Sequence, residues 1–194
     1  MSLLRPKKYE TLEELVRACQ RQEVRAQTVL YERYKTRLLG SCLRYAKTKA
    51  EAEDIFQEAF VKVFRNLAEL KEERAIDGWV KSIVIRTAIN YYHRTTKVQE
   101  THISLDEFNA DLESEEYARI IDQININVLL EIIQQLPDGY RMVVNLHMID
   151  GYPHTEIAKM LDISEGTSRS QFLRGRNLLL KKLQEHGITQ YENS

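Results

Sequence analysis

The stretch from Tyr152 to Thr167 constrains this chain more than any other. Ile157, Ala158 and Leu161 recur at helical spacing behind Pro153, and Ser164 with Glu165 is suited to open a second helix. The whole reads as helix, tight turn, helix. Such a unit needs a small residue where its helices cross and apolar residues that set the angle. Ala158 fills the small position, and Ile157, Leu161 and Ile163 supply the apolar lock. The second helix is expected to bury Phe172, Leu179 and Leu183. Gly175 lies among them and costs about 1 kcal/mol of helix propensity against alanine. It marks either a close approach or nothing at all.

The same helix carries a charged run. Residues 164–184 hold five bases against one acid. Ser164, as the cap, is followed on the expected exposed face by Glu165, Thr167, Ser168, Arg169, Gln171 and Arg174. Arginine can pair with guanine and glutamine with adenine in a DNA major groove. Arg176, with Lys181 and Lys182, suits phosphate, which positions without specifying. The free amides at the helix start favour phosphate as well. The bland alternative is a solvated face on an ordinary helical bundle. His147 and His154 lack the convergent Cys or carboxylate partners of a metal site.

Seven glycines and three prolines in 194 residues favour long helices, and no strand pattern or repeat is present. The predicted fold is all-α: two small helical domains joined by an acidic linker, the C-terminal one a helix-turn-helix. The domains are placed at residues 8–97 and 127–187. The linker, residues 98–126, belongs to a stretch from Lys97 to Asp122 with eight acids and two bases. It is a solvated tether or an active element. The hydrophobic share of 43% permits packed cores. A net charge of −1 argues against nucleic-acid binding only on average, because local patches decide contact. Cys19 and Cys42 show no metal spacing and suit buried thiols, with a disulfide or redox sensor as the alternative. The first residues lack the apolar stretch of a signal peptide, and no apolar run approaches membrane-spanning length. A cytoplasmic location without membrane insertion is expected.

In the N-terminal half, Thr11 is suited to cap a first helix with Glu13 and Glu14 in its first turn. A helix over about residues 50–70 should bury Ala52, Ile55, Phe56, Ala59, Phe60, Val63 and Leu67. Its opposite face shows Asp54, Glu58, Val61 and Arg65, and Asp54, Gln57 and Glu58 precede a mostly neutral and basic stretch. That acidic start suits either a basic protein surface or the helix dipole alone. A following helix, about Ile76 to His93, is apolar almost all round, with Trp79 expected in the core. Its one polar seam holds Ser82, Arg86, Asn90 and His93, with Arg94 and two tyrosines nearby. Bases mixed with aromatics suit an unstacked nucleic-acid strand.

Taken in order, these segments resemble the small sigma factors of bacterial RNA polymerase, the extracytoplasmic-function group of the sigma-70 family. The likeness spans roughly residues 20–96 and 127–184. It is carried by the run Ala52 to Phe60, the run Gly78 to Ile83, Leu136-Pro137 with Arg141, Glu156-Ile157-Ala158, Glu165-Gly166-Thr167 and Arg174-Gly175-Arg176. It implies that Asp54, Gln57, Glu58, Val61 and Arg65 bind core polymerase, at its clamp coiled coil, with the flap as a further contact. It implies that the loop from Asn66 to Asp77 and the helix after it capture a flipped base of the melted −10 strand. Asn66, Lys71, Arg74, Lys81, Arg86, Asn90, His93 and Arg94 are the candidate contacts. Ser164, Glu165, Thr167, Ser168, Arg169, Gln171, Arg174 and Arg176 would read the −35 duplex. The chain departs from the family pattern at three places. Arg86 stands for a usual asparagine, Ser168 for a usual valine and Gly175 for a usual alanine. A sigma factor needs no catalytic residues and no cofactor, and an anti-sigma factor is an expected partner. The rival readings are a dimeric helix-turn-helix regulator on a palindromic operator and a carboxylate metal hydrolase, which would need inward-facing acids.

Overall fold

The computed structural model describes residues 9–96 and 126–186, so nearly all of the expected linker, residues 98–126, lies outside the described residues. The described residues are helical with no strand among them. They divide into two compact units, residues 9–42 with 50–88 and residues 43–49 with 89–96 and 126–186. Among them, no helix is long and apolar enough to cross a membrane.

In the first unit, α1 (Leu12–Gln20) starts as its sequence predicts. Thr11 is extended, and its hydroxyl accepts the Glu14 amide at 3.1 Å. The helix buries Leu15, Val16, Ala18 and Cys19. α2 (Val24–Tyr45) begins five residues before Val29, where a helical apolar spacing through Leu30, Tyr34, Leu38, Cys42 and Tyr45 predicts it. Its first turns bury only Ala26 and Leu30, then Tyr34, Leu38 and Cys42 continue the ridge at every fourth residue. α3 (Lys49–Asn66) buries Ala52, Ile55, Phe56, Ala59, Phe60 and Val63, the face expected from its period. Tyr31 of α2 packs edge-on against Phe60 at 5.1 Å, which seats α3 on α2.

Two short 3-10 turns, Leu67–Glu69 and Glu73–Ala75, lead into α4 (Ile76–Thr96). Asp77, in the first turn of α4, accepts the Tyr34 hydroxyl at 2.8 Å and Arg37 at 2.6 Å. The Arg37 hydrogen bond is the main cause that holds its carboxyl below the usual range. Trp79 corrects one expectation: it is half-buried, not core. A tryptophan is rarely covered completely even where it packs well. Cys19 and Cys42 are buried and not joined in a disulfide, and burial pushes the Cys19 thiol up to about 11.

The second unit contains α5 (Ile126–Gln134), α6 (Asp138–Val144), one π-helical turn (Asn145–Ile149), α7 (His154–Leu161) and α8 (Glu165–Glu185). Leu129, Ile132, Ile133, Leu136, Val144, Leu179, Leu180 and Leu183 form its core. Arg141 is buried there, yet its guanidinium is satisfied. It donates to the Leu136 carbonyl at 2.8 Å and the Tyr45 carbonyl at 3.1 Å and pairs with Asp138. A buried cation needs that full set of partners. Gly151 turns the chain at φ 79°, and Asp162 makes the turn between α7 and α8 at φ 55°. Asp tolerates this left-handed conformation better than most side chains do.

Candidate nucleic-acid and protein interfaces

α8 is opened by Ser164, whose Oγ accepts the Thr167 amide at 2.9 Å. The acid in that first turn, Glu165, faces the positive end of the helix and takes the Arg169 guanidinium one turn on. Burial then sorts the predicted reading residues. Ser164, Arg169 and Arg174 are exposed, whereas Glu165, Thr167, Gln171 and Arg176 are half-buried. Gln171 lies against α6, where a Cβ added to Gly139 would come within 3.1 Å of its amide.

Ser168 does not belong to that face and is a correction. It is 0% exposed and shares a 2.9 Å hydrogen bond with His154 Nδ1. It stands one helical turn before Phe172, on the inward stripe of α8, where a hydroxyl needs a partner. His154 in turn stacks on His147 with ring centroids 4.1 Å apart, and Phe172 meets His147 edge-on at 4.6 Å. His147 Nδ1 donates to the Tyr152 carbonyl at 2.9 Å. The two histidines are therefore packing elements of the helix-turn-helix. Burial, then the neighbouring His147 and Arg169, keep the His154 imidazole below its ordinary value. No group of three or more potential metal ligands occurs among the described residues.

Two further residues on the outer face of α8 escaped the sequence reading. Leu173 is 50% exposed, and Ser170 lies beside it at the helical spacing of Gly166 and Arg174. The 100° step from Arg169 would have found Leu173. A leucine in an amphipathic helix is simply read as core by default. Gly175 sits on the opposite, buried side. A Cβ there would fall 2.8 Å from Val144 Cγ2 and 3.0 Å from Tyr140 Cβ, so the glycine marks a close approach of α8 to α6.

On α3, the five predicted docking residues share one stripe. Asp54, Gln57, Val61 and Arg65 are exposed, Val61 by 57%, and Glu58 is half-buried with its carboxylate on Lys62 at 2.8 Å. An exposed valine flanked by two acids and an arginine is an apolar spot with a charged rim. That arrangement suits a protein surface rather than DNA.

The candidates for strand contact are spread along the segment after α3. Asn66 is half-buried at the end of α3, Lys71 is exposed between the 3-10 turns, and Arg74 is exposed and paired with Glu13 at 3.2 Å. Lys81, Arg86, Asn90 and Arg94 are exposed on α4. The Arg94 guanidinium lies over the Tyr91 ring at 5.6 Å. His93 is half-buried, and its Nε2 donates to the Met160 carbonyl at 3.0 Å, so its ring is committed within the second unit.

Comparison with known proteins follows the same division. Residues 30–98 match the family model for sigma-70 region 2, and residues 126–179 match that for sigma-70 region 4. The RNA polymerase sigma-H factor of Pseudomonas aeruginosa is 31% identical over 181 residues, covering 89% of this chain and 93% of that one. The ECF RNA polymerase sigma-E factor of Escherichia coli is 27% identical over 179 residues, covering 88% and 93%. A solved structure of CnrH in complex with the cytosolic domain of CnrY aligns with a TM-score of 0.46 at 20% identity, covering 89% of this chain and 97% of that one.

Proposed function

Since the chain belongs to the extracytoplasmic-function group of the sigma-70 family, and as such binds core RNA polymerase and directs promoter-specific transcription initiation, we propose the following division of labour among its residues. The α3 stripe of Asp54, Gln57, Glu58, Val61 and Arg65 grips the polymerase clamp. The segment Asn66 to Asp77, with the exposed bases of α4, captures the melted −10 strand. The outer face of α8, with Arg169, Ser170, Leu173 and Arg174, lies in the −35 major groove, while Arg176 and Lys182 approach phosphate. Residues 8–97 make the first of these domains, residues 98–126 the linker and residues 127–187 the −35 domain.

The observation that carries this reading is the exposure, in one chain, of two helix faces with opposite chemistry. α3 shows acids around an exposed valine, and α8 shows arginines behind a serine cap. Proteins are held by the first kind of surface and DNA by the second. Unstacking a −10 base costs a few kcal/mol, which contacts in a fixed loop must offset. The role is regulatory rather than catalytic, and it is carried out in the cytoplasm, where polymerase and promoter meet. An anti-sigma factor belongs to this reading as the means of holding the protein inactive, and the polymerase flap as the contact for the −35 domain.

The test is run-off transcription with core enzyme. The wild-type chain should give promoter-specific starts. Asp54→Lys combined with Glu58→Lys should abolish core binding in a pull-down while the helical circular-dichroism signal persists. Core binding unchanged by that double substitution would remove the docking assignment. Operator binding as a dimer, with no targeted transcript, would favour the regulator reading instead.

A further inference from the structure

We infer that α1 is a positioning element for promoter-strand capture: one stripe of α1 clamps the loop between α3 and α4 in its base-receiving shape before the strand arrives. The inference rests on the reading that this loop captures the −10 base, and it concerns a helix outside the region 2 match, which begins at residue 30.

Glu13, Arg17 and Gln20 follow one another at four and three residues, so they lie in a single row along α1. Each reaches the loop. Arg74 Nε bonds Glu13 at 3.2 Å, and Arg17 Nε bonds Glu73 at 2.8 Å. Gln20 Nε2 donates to two backbone carbonyls, Leu67 at 3.2 Å and Leu70 at 3.1 Å. Moving forward along α1 therefore moves backward along the loop, through 74, 73, 70 and 67. The helix and the loop run antiparallel like a zipper, and all contacts lie within the first unit.

The register is set by charge order. α1 presents acid then base, and the antiparallel loop presents base then acid. Exposed ion pairs contribute little energy alone, because solvent screens them. They do penalise the wrong register, which would oppose like charges. The Gln20 amide has the different task of tying α1 to the 3-10 turn, which the Leu70 amide closes onto the Leu67 carbonyl at 3.2 Å. Leu67 and Leu70 are buried, and Gln20 gives the Leu70 carbonyl a partner and the Leu67 carbonyl a second one. One amide group serves both and fixes the spacing across the turn. Asn66 and Lys71 stand just outside those two points, and Arg74 is held by Glu13. Three candidate strand contacts are thus oriented by α1. A preformed loop does not have to be ordered at the moment of binding, which strengthens capture without adding a contact.

The experiment uses holoenzyme assembled from the full chain and core polymerase. The probe is a pool of single-stranded oligonucleotides randomised over the −10 positions, read by retention and by the base preference of the retained pool. Gln20→Leu keeps the bulk and removes the donor. It should lower retention about tenfold, the order expected from losing two neutral hydrogen bonds, and it should flatten the base preference. Core affinity and affinity for duplex DNA should stay unchanged. Arg17→Glu and Glu73→Arg should each weaken retention, and the two together should restore it. That cycle keeps the test open should Gln20→Leu fail to fold. If Gln20→Leu and the charge pair leave retention and preference unchanged while Lys71→Ala lowers them, α1 does not position the loop and the inference falls alone. Equal losses of strand and core binding in Gln20→Leu, with no rescue by the charge swap, would mean a merely structural role and overturn it too. If Lys71→Ala and Arg74→Ala also change nothing, the loop does not capture the strand, and the parent reading falls with the inference.

Discussion

Replacing Gly175 by alanine sets two measurable effects against each other. Alanine is better than glycine in a helix interior by about 1 kcal/mol, so propensity alone predicts a more stable protein. Packing predicts the reverse. The added Cβ would lie 2.8 Å from Val144 Cγ2, 3.0 Å from Tyr140 Cβ and 3.4 Å from the Tyr140 carbonyl oxygen. Ordinary carbon contacts are about 3.5–4.0 Å. Val144 is fully buried and, being β-branched on a helix, has essentially one rotamer to offer. The Tyr140 atoms are backbone or attached directly to it, so they move only if α6 moves. Overpacking of this kind costs about 1–3 kcal/mol, and the stiffness of both neighbours places it in the upper half of that range. The expected net loss is roughly 1–2 kcal/mol, which lowers the melting temperature of a small domain by on the order of 5–10 °C. Thermal and urea denaturation of the full chain, with hydrogen exchange of the α8 amides to localise the effect, would measure it. Val144→Ala should cost less in the Gly175→Ala background than in the wild type, because the cavity accepts the new methyl group. A Gly175→Ala protein more stable by about 1 kcal/mol, as propensity alone requires, would refute the argument. The family's usual alanine would then fit here as well.

The remaining expectations concern titration and DNA contact. His154 is kept below its ordinary value of 6.5, first by burial and then by His147 and Arg169, with Glu165 opposing. The unfolded chain therefore takes up a proton where the folded chain resists it. Stability from this site is fully present above about pH 6.5 and is lost as pH falls from there toward the lower folded value. Urea midpoints measured from about pH 5 to 8 should show that fall, and His154→Gln should flatten it; a rise on acidification contradicts the assignment. Arg174→Ala should weaken binding to a −35 duplex by about 1–3 kcal/mol and relax its sequence preference, with core affinity unchanged. An unchanged affinity at matched salt would take Arg174 off the reading face.

Much of the local structure was legible because local chemistry decides it. Thr11 and Ser164 cap helices since their hydroxyls reach amides three residues on, and both do so. The buried face of α3 followed from a 3.6-residue period that any amphipathic helix must show. What failed involved partners distant in sequence. Ser168 was read as exposed because it is polar and sits among reading residues, yet His154 meets it on the inside. His93 was placed in an open seam, but the Met160 carbonyl holds its ring. Leu173 was overlooked because apolar residues default to the core.

By itself, the sequence determined that the described residues are helical, where α1, α3 and α8 begin, and which two helix faces carry opposed charge. These depend on capping, periodicity and composition, all of which act over a few neighbouring residues. Only the tertiary structure decided that Gly175 is a contact rather than an accident, that Ser168 points inward, and that Gln20 reaches across to Leu67 and Leu70. Those outcomes depend on which helices meet and at what distance. A side chain's period along its own helix says which way it faces, but not what stands there to receive it.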